Sequence, residues 1–194
     1  MKLRSLFVVL LALVATSVSA QKLKKGSLTF LDNESKINLV FDFNGVTVDG
    51  KAEEIFVKKR MEKEKTPKEA EEWKKNWEGE WRKQFMNNFI KYCNDELKNK
   101  SVSQSYSNAK YTLCVKIVNI VPGYFAGPYS KDALVSVVYK FYKTEDMNTL
   151  VTQFSWDKIC SPFSDYQVDE FIRLKMVFAT AGKSFGALLN LSTK

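Results

Sequence analysis

The chain of 194 residues contains no histidine. That absence removes the imidazole base from every serine–histidine or cysteine–histidine nucleophile. It also removes the commonest side-chain ligand of zinc sites. No GxGxxG turn and no phosphate loop occurs, so neither glycine-rich cradle for a nucleotide is present. No cofactor and no metal is expected. A catalyst built on carboxylates alone, as in glycoside hydrolysis, is still compatible with the composition, but no paired-carboxylate motif stands out.

Long hydrophobic runs are absent too, with one exception. Residues 6–15, LFVVLLALVA, follow Lys2 and Arg4 and lead to Val18-Ser19-Ala20. A basic start, a short apolar run and a small-residue exit read as a secretory signal peptide cleaved after Ala20. Ten apolar residues are too few to span a bilayer comfortably, and no later segment is apolar enough to do so. No cysteine follows the junction, so no bacterial lipid anchor is expected. The chain thus divides into residues 1–20, a signal, and residues 21–194, one α+β domain, with a periplasmic or secreted destination.

The formal charge is +8. Lys2 and Arg4 account for two of these charges, so the chain from Gln21 carries +6. Acidic and basic residues are interleaved, as in KKRMEKEKTPKEAEEWKK. That is the pattern of a solvated helical face with internal ion pairs, not of a nucleic-acid patch, and an exported protein rarely meets nucleic acid. Cys93, Cys114 and Cys160 match no zinc or redox spacing. Export permits a disulfide, with Cys93–Cys160 the candidate pair, and an odd count leaves one thiol over. The alternative is that all three are small buried hydrophobes.

What is present is periodicity. Residues 27–31 are expected as a short strand. Ile37, Leu39, Phe41 and Phe43 alternate with polar neighbours, which marks a strand with one buried face. From Lys51 the period becomes helical, with Ile55, Phe56 and Met61 on one side. Thr66-Pro67-Lys68-Glu69 is a helix-start signature. A helix over 67–97 would be roughly 45 Å long, which favours a break near Gly79. Residues 99–110 read as a loop, 111–117, 134–142 and 150–156 as strands, and residues 143–148 as a hairpin connection. A closing helix, capped by Ser164 or Asp165, carries Phe171, Leu174, Phe178, Ala181, Phe185 and Leu189 on one face. Its small residues Ala179, Ala181, Gly182 and Gly186 suit a close approach to a neighbour. The expected architecture is a two-layer sandwich: one mixed, mostly antiparallel sheet of about five strands, with a long tryptophan-rich helix and the C-terminal helix on one face.

Two groups of aromatics are candidate binding residues. Trp73, Trp77, Trp81, Phe85 and Phe89 recur every fourth residue, and each step gains about 40° on an α-helix. The C-terminal part of that stripe is expected in the core. Trp73 and Trp77, in the charge-dense start, are the members expected to face solvent, a ligand or a second copy of the chain in a homodimer. The loop VPGYFAGPYSKD places Tyr124, Phe125 and Tyr129 between turn makers. There they either stack on a sugar, peptide or partner surface, or fold back over the sheet edge. Asp42, between Phe41 and Phe43, points to the opposite sheet face, which is the solvated one in most antiparallel sheets.

The segments VFDFNGVTVDGKAEEIFV, EEWKKNWEGEWRKQF, AKYTLCVKIVNIVPGY and ATAGKSFGALLN together resemble uncharacterised exported proteins of Bacteroides-type bacteria, a domain of unknown function. The resemblance spans most of the chain after residue 20 and implies a small periplasmic or envelope-associated α/β domain. It supplies no catalytic residues. The expected function is a binding or assembly module of the cell envelope, with an envelope protein or glycan as partner. The alternative is a small carboxylate-dependent hydrolase acting on glycans or peptides.

Overall fold

The computed structural model describes residues 22–25, 27–126, 129–161 and 169–193. The expected signal peptide and the residues Ser164 and Asp165 lie outside them. The strands are β1 (Lys22–Lys25), β2 (Lys36–Asp42), β3 (Thr47–Val48), β4 (Lys51–Ala52), β5 (Ser101–Ser103), β6 (Tyr111–Val121), β7 (Leu134–Lys143) and β8 (Asp146–Cys160). The helices are α1 (Glu53–Met61), α2 (Pro67–Lys75), α3 (Arg82–Glu96) and α4 (Glu170–Ser192), with a π-helical segment Asn76–Trp81 joining α2 to α3. The fold is α+β.

The sheet has eight strands, not about five. Six lie in the order β1-β8-β7-β6-β2-β5, and the two-residue strands β3 and β4 form a hairpin beside β6. The extra strands are too short to show an alternating pattern. β6, β7, β8 and β1 pair antiparallel, while β2 runs parallel to both β5 and β6. Residues 27–31, expected as a strand, instead close a 3-10 turn over Thr29–Leu31.

Alternation decides which face is buried. Ile37 and Leu39 of β2, Leu113, Val115 and Ile117 of β6, Val135, Val137, Tyr139 and Phe141 of β7, and Phe154 of β8 all point into one core. Tyr139 stacks on Phe185 of α4 and lies 6.3 Å from Phe89 of α3. Both long helices therefore cover the same face, which makes two layers. The opposite face carries Asn38, Asp42, Cys114, Lys116 and Lys140, all half-buried. Asp42 accepts hydrogen bonds from Lys116 Nζ at 3.0 Å and the Asn44 N–H at 2.8 Å. Burial alone would raise its carboxyl, but these bonds and the charges of Lys116 and Lys140 outweigh it and hold the group below the usual aspartate range.

The long rod begins on the expected capping box: the Thr66 hydroxyl accepts from the Glu69 N–H, and the Glu69 carboxylate accepts from the Thr66 N–H. The expected break near Gly79 is the π segment. Its wider turn, about 4.4 residues, holds back the drift that a four-residue step gains in an α-helix. Trp73, Trp77 and Trp81 consequently keep one heading. At its far end the rod meets α4, where a Cβ on Gly182 would stand 2.1 Å from the Phe89 carbonyl oxygen. Only glycine lets the two backbones approach that closely. The cap of α4 is Asp169, whose side chain accepts from the Ile172 N–H.

Candidate functional site

Residues 121–132 leave the end of β6 and return to β7 as a short hairpin. The N–H of Tyr124 donates to the Lys131 carbonyl, and the Lys131 N–H donates to the Tyr124 carbonyl, both at 2.9 Å. Gly123 turns the chain with φ at +63°, where a Cβ would stand 2.4 Å from the Lys131 carbonyl oxygen. Nearer the tip, the Ala126 N–H donates to Ser130 Oγ at 3.1 Å and the Tyr129 N–H to the Ala126 carbonyl at 3.3 Å. Gly127 and Pro128 lie outside the described residues.

The base of this hairpin is held from inside the protein. Arg173 of α4 is buried, and its Nε and Nη2 donate to the carbonyls of Pro122 at 3.2 Å and Gly123 at 3.1 Å. A buried guanidinium with such partners fixes the loop's exit from the sheet, since leaving it unpaired would be strongly unfavourable. Lys131 Nζ reaches Asp49 Oδ1 at 3.0 Å on the neighbouring β3–β4 turn. Anchored in this way, the hairpin exposes Tyr124 to 52%, Phe125 to 47% and Tyr129 to 78%. Of the two orientations open from the sequence, the outward one is observed. Arg173 is the positioning residue that periodicity misses. Its signal is a charge one turn before the buried Val177, on the inner side of the closing helix.

Trp73 and Trp77 are not solvent-facing, contrary to expectation: they are 8% and 1% exposed. The two indoles stack at 5.6 Å, Phe56 of α1 closes on both, and Trp81 continues the cluster to Phe171 of α4. α1 covers them through Phe56 and the buried Val57, while Ile55, expected on that inner side, is exposed. Trp77 Nε1 donates to Glu53 Oε1 at 2.7 Å, and Arg82 pairs with the same oxygen. Trp73 Nε1 is buried and meets no hydrogen-bond partner among the described residues, and the Arg60 guanidinium lies 5.2 Å over that ring.

Above this cluster runs a groove of about 550 Å³ between α1 and the rod, lined by Glu53, Glu54, Glu62 and Glu78 over Val57 and Met61, with Lys58 and Lys74 on its walls. It gathers several carboxylates, but Glu53 already serves Trp77 and Arg82. Among the described residues no cluster of histidine, cysteine, aspartate and glutamate has the shape to hold a metal ion. No described helix is long and apolar enough to cross a membrane.

Cys93 and Cys160 are not joined, which corrects the expected bridge between them. Burial raises the Tyr139 phenol, and Cys93, between the helices and the sheet, lies close enough to raise it further. Cys160 pairs with Leu134, five positions further along β7. That places the two thiols roughly 17 Å apart along the strand direction, well beyond disulfide reach. Burial pushes the Cys93 thiol up to about 12.

Two stretches imitate catalytic motifs. Gly182-Lys183-Ser184-Phe185-Gly186 has the spelling of a GxSxG nucleophile elbow, yet it lies within α4, with both glycines against the α3 backbone. The chain has no histidine to activate that serine. The stretch from Gly45 to Lys51 has the glycine spacing of a phosphate loop but ends in Ala52 where serine or threonine would bind magnesium. It folds into the β3–β4 hairpin, and Glu53 and Glu54 occupy the first turn of the helix that follows. No protein-family model matches the chain, and no curated protein matches it.

Proposed function

We propose that the protein is an exported binding or assembly module of the cell envelope that acts through the Tyr124–Phe125–Tyr129 hairpin. One observation carries this reading. Three large aromatic rings are held in solvent by a loop whose base is fixed from the core by Arg173. A hairpin with no task would gain by burying those rings, because each hides substantial apolar area when covered. Export itself rests on the signal-like N-terminus, and the resemblance to exported Bacteroides-type proteins supports the same destination.

The test is a photo-crosslinking residue in place of Phe125, expressed in cells, beside the Tyr124→Ala, Phe125→Ala double variant in a pull-down. A specific adduct, with partner capture reduced about tenfold or more in the double variant, is expected. No adduct together with unchanged capture removes the hairpin from consideration. The alternative, a carboxylate-dependent hydrolase of glycans or peptides, has the α1 groove as its favouring observation. It predicts that Glu54→Gln and Glu78→Gln abolish turnover of a glycan or peptide substrate while the fold is kept.

A further inference from the structure

The first turn of α4 is a junction between three parts of the protein. Asp169 caps it by accepting from the Ile172 N–H at 3.0 Å. Phe171 packs on Trp81 and Phe85 of the rod. Glu170 meets α1, where Arg60 Nε lies 3.5 Å from its Oε2. Arg173 meets the hairpin base through the carbonyls of Pro122 and Gly123.

Glu170 and Arg173 stand three positions apart on α4, so their side chains are neighbours on one helix face. The carboxylate therefore has two guanidinium groups to choose from, Arg60 on the adjoining helix and Arg173 on its own. Burial acts most strongly on Glu170 and raises its carboxyl, while Arg60 and then Arg173 act to lower it and Asp169 adds a smaller upward push. Arg60 is held in front of Glu170 by its own surroundings: it pairs with Glu64 one turn along α1 and lies over the Trp73 ring. A guanidinium bonds a carboxylate more strongly than a neutral carbonyl, because both partners are then charged. Glu170 is thus the better acceptor for Arg173, yet Arg173 bonds the carbonyls.

We infer that Arg60 is a positioning residue for the aromatic hairpin, acting through Glu170: by occupying the carboxylate it leaves the Arg173 guanidinium on the Pro122 and Gly123 carbonyls. Without Arg60, Glu170 takes Arg173 as its counter-ion. The guanidinium then turns away from the hairpin base, and the exit of residues 121–132 from the sheet loosens. Arg173 has two discrete arrangements, on the carbonyls or on the carboxylate, and the docking of α1 selects between them. The cover over the indoles and the aromatic tip are coupled in this way through one turn of α4. This inference rests on the hairpin being the binding site and adds how that site is held in its binding shape.

The experiment is residue-resolved amide exchange at neutral pH, on the chain from Gln21, which contains every described element. The N–H groups of Tyr124 and Lys131 report on the hairpin, because each donates across it. Those of Val115 and Tyr139, paired in mid-sheet, report on the whole fold. Arg60→Gln should speed exchange at Tyr124 and Lys131 about tenfold or more, while the mid-sheet amides keep their rates. Glu170→Gln removes the competing anion and should leave the hairpin as slow as in the wild-type chain. Added to Arg60→Gln, it should bring the fast rates back to the wild-type value. Unchanged hairpin exchange in Arg60→Gln overturns the inference. Fast exchange that persists in the double variant overturns it too, since Arg60 would then be only a prop for α1. Acceleration shared equally by the mid-sheet amides does the same, as a loss of the whole fold. No partner enters this readout, so its failure is separate from a failure of the crosslinking at position 125.

Discussion

Arg173 and Glu170 are two ionisable side chains taken largely out of water on the first turns of α4, and they behave differently. Arg173 is satisfied by fixed carbonyls at the hairpin base. Glu170 faces Arg60 of α1 at 3.5 Å, with Arg173 and Asp169 also acting on it. Burial nonetheless dominates and raises its carboxyl above the ordinary glutamate range, against the lowering effect of Arg60 and Arg173. The folded protein thus holds this proton more tightly than the unfolded chain does. The stability the group contributes is complete below about pH 4.3 and is lost as pH rises through its higher folded value. Relative to Glu170→Gln, which cannot titrate, the wild-type chain should lose stability as pH rises above the ordinary glutamate range in denaturant titrations. Curves that stay parallel over that rise would contradict the burial argument.

At the level of elements, glycine divides the two long helices by what surrounds it. Gly182 of α4 has no room: an added methyl would collide with the backbone of Phe89, which cannot rotate away. Gly182→Ala should force α3 and α4 apart and destabilise the fold by about 3 kcal/mol. Gly79, in the π segment, has nothing within 4 Å of the point where a Cβ would stand. There Gly79→Ala should leave stability unchanged or raise it by up to about 1 kcal/mol, since alanine restricts the unfolded chain more and suits helical backbone better. Chemical unfolding of both variants checks the contrast. Equal losses would mean that the π segment needs glycine for a reason the packing does not show.

Across the whole molecule the three cysteines sample three environments. Cys93 of α3 is buried between the two layers, whereas Cys114 on the open sheet face and Cys160 at the end of β8 are half-buried. Mass spectrometry after a maleimide pulse on the native, non-reduced chain should show Cys114 and Cys160 modified and Cys93 untouched. All three should react after unfolding. Native labelling of Cys93, or a mass two hydrogens low, would contradict the arrangement of helices over sheet. That arrangement was only partly legible in advance. The alternation in β2, β6 and β7 marks their buried faces directly, and Thr66–Glu69 announces the start of the rod. The density of charge around Trp73 and Trp77 reads as solvent exposure, yet the charges flank a face that α1 covers.

Residue order by itself determined the periods of strand and helix, the Thr66–Glu69 cap, the small residues around Gly182, and the chemistries closed to a chain without histidine. Each depends on neighbours within a few positions or on residue identity alone. Tertiary structure alone decided three things: that α1 folds over the indoles, that Arg173 reaches across to the hairpin base, and that β1 pairs along β8 at the edge of the sheet. These depend on residues far apart in the chain, brought together by burial of apolar surface, which carries no local signature in the sequence.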